Sequence, residues 1–138
     1  MIVIDASTVV GAALKADSVP WQTLLRARQT DIIAMSDEIA TEIRSVLRRP
    51  KFSAAITPER FAEIVGLVFA DAEWFYPTVR VTDCRDPKDN KYLELALEAG
   101  ATLLVSSDND LLSLGPWRDV QILRPAEYLA VYGALIGS

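Results

Sequence analysis

Residues 2–4 are an unbroken apolar run that stops at an acid, Asp5. A short run with no polar alternation is what a strand buried on both faces requires. Residues 7–15 then carry helical spacing, and Asp17, Ser18 and Pro20 supply a stop and a fresh start for a second helix through residue 28. A second strand is predicted over 31–35, followed by a helix over 36–49 with Ser36 as its cap and Pro50 as its stop. Thr57 and Pro58 open a helix over 58–72 with apolar positions at Phe61, Ile64, Val65, Val68 and Phe69. Residues 74–76 predict a short third strand before Pro77. Asp86 and Pro87 open a helix over 87–99 that Gly100 closes. A buried strand over 101–106, a short helix over 107–114, an edge strand over 120–122 and a last helix over 125–134 complete the pattern.

Strands alternating with helices in this way imply a parallel sheet with helices on both faces. No repeat, linker or low-complexity tract interrupts the alternation, so residues 1–138 are expected to form one domain. At this length about 68–70% of the unfolded surface is buried on folding. The 51% apolar content supplies the core that this needs and argues against disorder. The lone cysteine, Cys84, has no internal partner for a disulfide, which points to a cytoplasmic setting. No leader pattern opens the chain and no apolar run approaches the roughly 18 residues of a membrane span. A soluble, unprocessed protein with no membrane association is expected.

Charge and chemistry narrow the function. The chain has no histidine, which excludes Ser-His-Asp and Cys-His catalysis and histidine-containing zinc sites. Acid/base or metal chemistry must then run on carboxylates, lysines or water. Asp5 ends the first strand, and Asp108 follows the buried strand over 101–106 by two residues, so both lie at the edge where open parallel sheets bind ligands. On the helix over 36–49, with Ile39, Ile43 and Val46 as the apolar stripe, Glu42 lies about 60° from Ile39 and Glu38 about 100°. Glu42 therefore borders the buried side, with Glu38 as a supporting acid further out. On the helix after Pro87, Asp89 lies about 60° from Tyr92 at the edge of a stripe of Tyr92, Leu95, Ala96 and Ala99, whereas Glu94 and Glu98 point away. Each acid has a modest structural role open to it: Asp5 as a turn acid, Asp86 as a helix cap, Asp89 as a first-turn acid answering the helix dipole, and Ser107 with Asp110 as a capping pair. Those roles do not account for acids from four elements meeting at one sheet edge. Acids brought together there would repel one another, and a hard divalent cation that prefers carboxylate oxygens is the most economical remedy. The formal charge of −5 argues against a nucleic-acid partner, yet setting aside Asp5, Glu42, Asp89, Asp108 and Asp110 leaves fourteen acids against fourteen Lys and Arg.

Taken in order, these strings closely resemble the PIN-domain family: an apolar run with Asp5-Ala6-Ser7; Ser36 and Glu42-Ile-Arg-Ser-Val-Leu-Arg-Arg-Pro-Lys-Phe52; Arg85-Asp-Pro-Lys-Asp89-Asn-Lys-Tyr92; and Val105-Ser-Ser-Asp108-Asn-Asp110-Leu-Leu112. Within it the chain is most similar to the toxin components of bacterial toxin–antitoxin pairs. The resemblance runs from Ile2 to Leu129. It departs from that branch at Ser7, where Asn often stands. The resemblance implies a Rossmann-like three-layer α/β/α sandwich around a central parallel sheet. It further implies a Mg²⁺ or Mn²⁺ site made by the acids at Asp5, Glu42, Asp89 and Asp108, with Asp110 as a fifth, that hydrolyses RNA to 5′-phosphate and 3′-hydroxyl ends. Ser7, Glu38 and Ser107 are then supporting residues around the ligands.

Metal-assisted hydrolysis needs few protein groups beyond the ligands, which suits a chain without histidine. An RNA backbone also needs cations, and Arg49 falls on the Glu42 side of its helix, with Lys51 and Lys91 behind it, whereas Arg44 and Arg48 point elsewhere. The resemblance implies a cognate antitoxin lying across the acids and a homodimer, with Val10, Leu14, Trp21, Phe61, Val65 and Phe69 as candidates for an apolar docking surface. The rival reading is a catalytically inactive module of the same fold that binds RNA or protein. A phosphotransferase of the haloacid-dehalogenase type is disfavoured because Ser7 stands where a second Asp is needed, and a dinucleotide-binding domain because no Gly-x-Gly-x-x-Gly follows the first strand.

Overall fold

The computed structural model describes residues 1–133. β1 (Ile2–Ile4) lies parallel to β4 (Leu103–Val105), which lies parallel to β5 (Gln121–Leu123). β2 (Ala34–Met35) pairs in parallel with β3 (Glu73–Trp74), and a parallel bridge between Ile2 and Ile33 joins this pair to β1. The spatial order is therefore β3-β2-β1-β4-β5. Every residue of β1 and β4 is buried, as the unbroken apolar runs require.

The helices are α1 (Ala6–Leu14), α2 (Val19–Thr30), α3 (Asp37–Leu47), α4 (Pro50–Ser53), α5 (Pro58–Phe69), α6 (Asn90–Ala99), α7 (Asn109–Leu112) and α8 (Pro125–Tyr132). Their starts follow the expected chemistry. Asp5, Ser18, Ser36 and Thr57 each accept a backbone N–H from the first turn of the helix they precede. Gly100 closes α6 at φ 64°, a left-handed conformation that glycine adopts without steric cost. The helix expected to reach residue 134 is seen through Tyr132, and Ala134 lies outside the described residues.

Four expectations are corrected. The helix over 36–49 ends at Leu47, because the residue before a proline is pushed to extended backbone and Arg49 adopts ψ 136°. Pro50 then starts a new short helix as well as stopping the old one, since its fixed φ suits a first turn. The buried stripe of α3 is Ile39, Ala40, Ile43 and Leu47, with Val46 only half-buried. The third strand is Glu73–Trp74 and not 74–76, because the Phe75 N–H makes a last backbone bond, to the Met35 carbonyl, and from Thr78 onward side chains replace the ladder.

Those side chains come from α6 and overturn the expected exposure of Glu94. Glu98 accepts the Thr78 N–H, Glu94 accepts the Val81 N–H at 2.9 Å, and Asn90 accepts the Cys84 N–H at 2.9 Å. These positions are four residues apart and so share one helix face. Glu94 is buried there, with Arg80 3.5 Å away. Backbone N–H groups that no strand satisfies are satisfied by a ladder of helix side chains, and the ladder delivers the chain to Asp86 and the start of α6. Val10 and Trp21, candidates for a docking surface, are core residues, while Leu14 is exposed and Phe61, Val65 and Phe69 are half-buried. Among the described residues no helix is long and apolar enough to cross a membrane.

Candidate active site

The strand order reverses direction between β1 and β4: the chain continues from β1 outward to β2, and from β4 outward to β5. Crevices beyond the carboxyl ends of strands at such a switch point are where open α/β sheets bind ligands. Here the crevice is a cavity of about 610 Å³. Its acids are Asp5 from the end of β1, Glu42 from α3, Asp89 from the 3-10 turn Pro87–Asp89 and Asp108 from the end of β4. Among the described residues Arg49 is its one basic residue, and Val10, Leu14, Val46 and Phe52 form an apolar wall.

Asp5 is buried, at 3% exposure. Its Oδ1 accepts the Thr8 N–H at 3.0 Å and the Thr8 hydroxyl at 2.8 Å. Its Oδ2 accepts the Ser7 hydroxyl at 2.8 Å and the Ser106 hydroxyl at 2.5 Å. Burial pushes the Asp5 carboxyl pKa up, and these hydrogen bonds, led by Ser106, oppose the shift. The helix-cap role and a place in the cavity thus belong to the same side chain.

Ser106 was not singled out in the sequence, and it is the hinge of the arrangement. Fully buried, it donates to Asp5 and accepts the Asp108 N–H at 2.9 Å, tying the ends of β1 and β4 together. Tyr92, a core position by its helical spacing, carries a second role. Its hydroxyl donates to Glu42 Oε1 and accepts the Ala6 N–H at 3.1 Å, and burial followed by the Glu42 hydrogen bond pushes its own pKa well up. In both cases the one available signal was a hydroxyl among apolar neighbours in a chain segment that ends near an acid.

Glu42 Oε2 is ion-paired with the Lys91 ammonium at 2.7 Å. Lys91, read from the sequence as a phosphate contact, is therefore reassigned: its side chain is only 9% exposed and also donates to the Lys88 carbonyl. Asp110, expected as a fifth acid of the cluster, does not line the cavity and is ion-paired with Arg85 at 2.8 Å. Asp108, not Ser107, caps α7 by accepting the Asp110 N–H at 2.8 Å. Ser7 and Ser107 line the cavity. Glu38 and Lys51 do not: Glu38 faces a separate cleft with Phe75 and Arg80, and Lys51 is an exposed residue with its ammonium over the Phe52 ring.

Asp89 is the acid left in want of a partner. Its Oδ2 is buried without a hydrogen bond, and burial, followed by the adjacent Asp108 carboxyl, raises its pKa to about 7. Two neighbouring carboxylates can hydrogen-bond only by sharing a proton, which is why one of them resists ionisation. The donor chemistry of Asp5, Glu42, Asp89 and Asp108 is all-oxygen and anionic, which suits a hard divalent cation. Among the described residues, though, no three such side chains stand close enough together to hold a metal ion between them. Hydroxyls hold Asp5, and Lys91 and Tyr92 hold Glu42, so Asp89 and Asp108 form the part of the set most in need of a cation.

A family model for the PIN domain matches residues 1–110, the span that carries all of these acids. An uncharacterised protein of Methanocaldococcus jannaschii is 27% identical over 115 residues, covering 82% of this chain and 74% of that protein. No solved structure matches the chain. The chain belongs to the PIN-domain family, whose members are generally nucleases.

Proposed function

We propose that the protein is a Mg²⁺- or Mn²⁺-dependent endoribonuclease in which Asp5, Glu42, Asp89 and Asp108 form the metal-binding acids. The observation that carries this reading is the convergence of those four acids on one cavity at the switch point of the sheet, with a buried, unpartnered oxygen on Asp89. When bound, the metal supplies a water of lowered pKa and neutralises charge on the phosphoryl oxygens. The chain's own groups have the preparatory roles. Ser106 and Thr8 fix the Asp5 carboxylate, Tyr92 and Lys91 fix Glu42, and Arg49 faces the cavity as a phosphate contact, with Lys51 just beyond it. The test is incubation of labelled RNA with the purified protein, with and without Mn²⁺. Cleavage that requires the metal supports the reading, and full cleavage in excess EDTA removes the metal from it.

The toxin role belongs to the same proposal: a cytoplasmic enzyme of one domain, a homodimer, held inactive by a small antitoxin that presents a basic side chain to the acids. Lys91 on Glu42 supports the idea that a cation of the right reach is accepted there. Co-expression with a neighbouring short reading frame, followed by size-exclusion chromatography and the RNA assay, tests it. A protein that elutes alone and stays active beside that neighbour overturns the antitoxin while leaving the nuclease untouched.

Two observations favour a second reading, an inactive PIN-fold module that binds RNA or protein. Glu42 is already neutralised from within, and no three acids converge as a ligand set among the described residues. Calorimetric titration with Mn²⁺ separates the two, since the inactive module requires no metal affinity.

A further inference from the structure

The C-terminal half of α3 and the two residues after it carry cations that the described residues leave unpaired. Thr41, Arg44, Ser45, Arg48 and Arg49 line a groove of their own, with no acid among them. Positions 41, 44, 45 and 48 recur at helical spacing, so they share a face, and all of these residues are exposed. Among the described residues Arg28, Arg60, Arg80, Arg85 and Arg118 each face a carboxylate, whereas Arg44, Arg48 and Arg49 face none. In a chain of net charge −5, three unpaired arginines side by side are a local reversal of the overall sign. Arg49 lines both this groove and the acid cavity and so stands at the boundary of the two.

We infer that this face is a binding track for the backbone of a single-stranded nucleic acid leaving the acid cavity, with Arg49 at the junction and Arg44 and Arg48 on successive phosphates. The inference rests on the nuclease reading for its direction and on the groove for its chemistry. Arg44 and Arg48 are one turn apart, about 6 Å along the helix axis, close to the separation of neighbouring phosphates on an extended strand. The Arg44 guanidinium lies over the Phe69 ring, 4.7 Å from its centroid, which holds it in place without neutralising it. Thr41 and Ser45 add hydroxyl donors of the kind that phosphate oxygens accept. Placing helix-terminal cations to answer the macrodipole would not explain why the groove they line meets the acid cavity at Arg49. Arg44 and Arg48 do not line the acid cavity, and a helical wheel misses the groove they do line, because it shows direction around one helix and not what continues beyond its end.

The test is fluorescence anisotropy of a labelled mixed-sequence single-stranded RNA with the full chain in EDTA, where cleavage does not enter, repeated over a range of salt. Each phosphate contact on a single strand contributes about 0.7 to the slope of log affinity against log salt, so R44Q/R48Q is expected to lower the slope by about 1.4. Binding should weaken alike for all sequences, and R44K/R48K should recover most of the slope, because charge and not a base contact is lost. An unchanged slope in R44Q/R48Q, or no RNA binding by the wild type, overturns the track. So does a change of oligomeric state in sedimentation velocity with RNA affinity unaltered, which would give the face to a second copy of the chain. Wild-type protein that binds RNA with the expected slope yet cleaves none in Mn²⁺ would sink the nuclease reading and leave the track standing.

Discussion

The Lys91 ammonium lies 2.7 Å from Glu42 Oε2, so a carboxylate of the cavity is neutralised by a cation from the chain itself. Lys91 sits on α6 one residue before Tyr92, and the two together hold both oxygens of Glu42. A metal that binds here must compete with the lysine or accept a Glu42 that keeps it.

Lys91→Gln therefore has two expected effects of opposite sign. Apo protein should lose about 1.5–3 kcal/mol, the scale of a hydrogen bond to a charged group, as Glu42 is left facing the other acids. Stabilisation by Mn²⁺ should grow, because the cation no longer competes with Nζ for Glu42. Thermal melts of both proteins across a manganese titration measure both effects, and a variant with an unchanged response to metal would show that Glu42 takes no part in binding it.

Ser106→Ala and Asp5→Asn differ in kind. Removing the Ser106 hydroxyl keeps the Asp5 carboxyl but takes away its shortest hydrogen bond and unlinks it from the Asp108 N–H. Loss of such an outer partner typically costs about 10–100-fold in metal affinity or activity. Asp5→Asn removes a ligand charge outright and should reduce RNA cleavage below the Ser106→Ala level while circular dichroism stays native. Equal activities for the two variants would make Asp5 a helix cap only. Glu42→Gln should fall with Asp5→Asn, and Glu38→Gln, in its separate cleft, should keep wild-type turnover.

Much of this site was legible because its acids sit at places the pattern marks: Asp5 where an apolar run stops, Asp108 just past another, Glu42 and Asp89 beside buried stripes. The pairings were not, since they depend on which distant side chains arrive. Lys91 reaches Glu42 across two helices, Arg85 takes Asp110 out of the cavity, and Ser106 joins two strand ends. Glu94 shows the limit of a helical wheel. The wheel places it outward, and a strandless segment folding over α6 buries it because its carboxylate satisfies a backbone N–H there. The wheel sets an angle about one axis, and burial is decided by the segment that packs on top.

The carboxyl pair gives a pH signature. Asp89 has an ordinary pKa of 3.8 and a folded pKa of about 7, raised by burial and then by Asp108. Between roughly pH 4 and 7 the folded state then binds more protons than the unfolded chain. This contribution to stability is fully present below that window and is lost as pH rises through about 7. The stabilisation that this group gives apo protein should therefore be smaller at pH 8 than at pH 5, and Asp89→Asn should flatten that part of the melting profile. Saturating Mn²⁺ should raise the melting temperature most at the high end, because a cation favours the ionised pair; at a hundredfold excess over its dissociation constant it contributes about 2.7 kcal/mol. A metal response independent of pH across this range would separate Asp89 from the metal site.

Tyr92→Phe isolates the joint between α1 and α3. The hydroxyl accepts the buried Ala6 N–H and donates to Glu42, so its loss leaves the first backbone donor of α1 unsatisfied and releases one Glu42 oxygen. An unpaired buried donor costs about 1–3 kcal/mol, and the ring itself stays in the core, so the protein should fold with a lower melting temperature. If Tyr92 only supports the fold, metal affinity should follow stability and recover under stabilising conditions. If it positions Glu42, metal affinity should fall in Tyr92→Phe even where the protein is fully folded, and should fall little further when Glu42→Gln is added. A double-mutant cycle on manganese affinity reads this coupling directly, and additive losses from the two substitutions would show that Tyr92 acts on α1 alone.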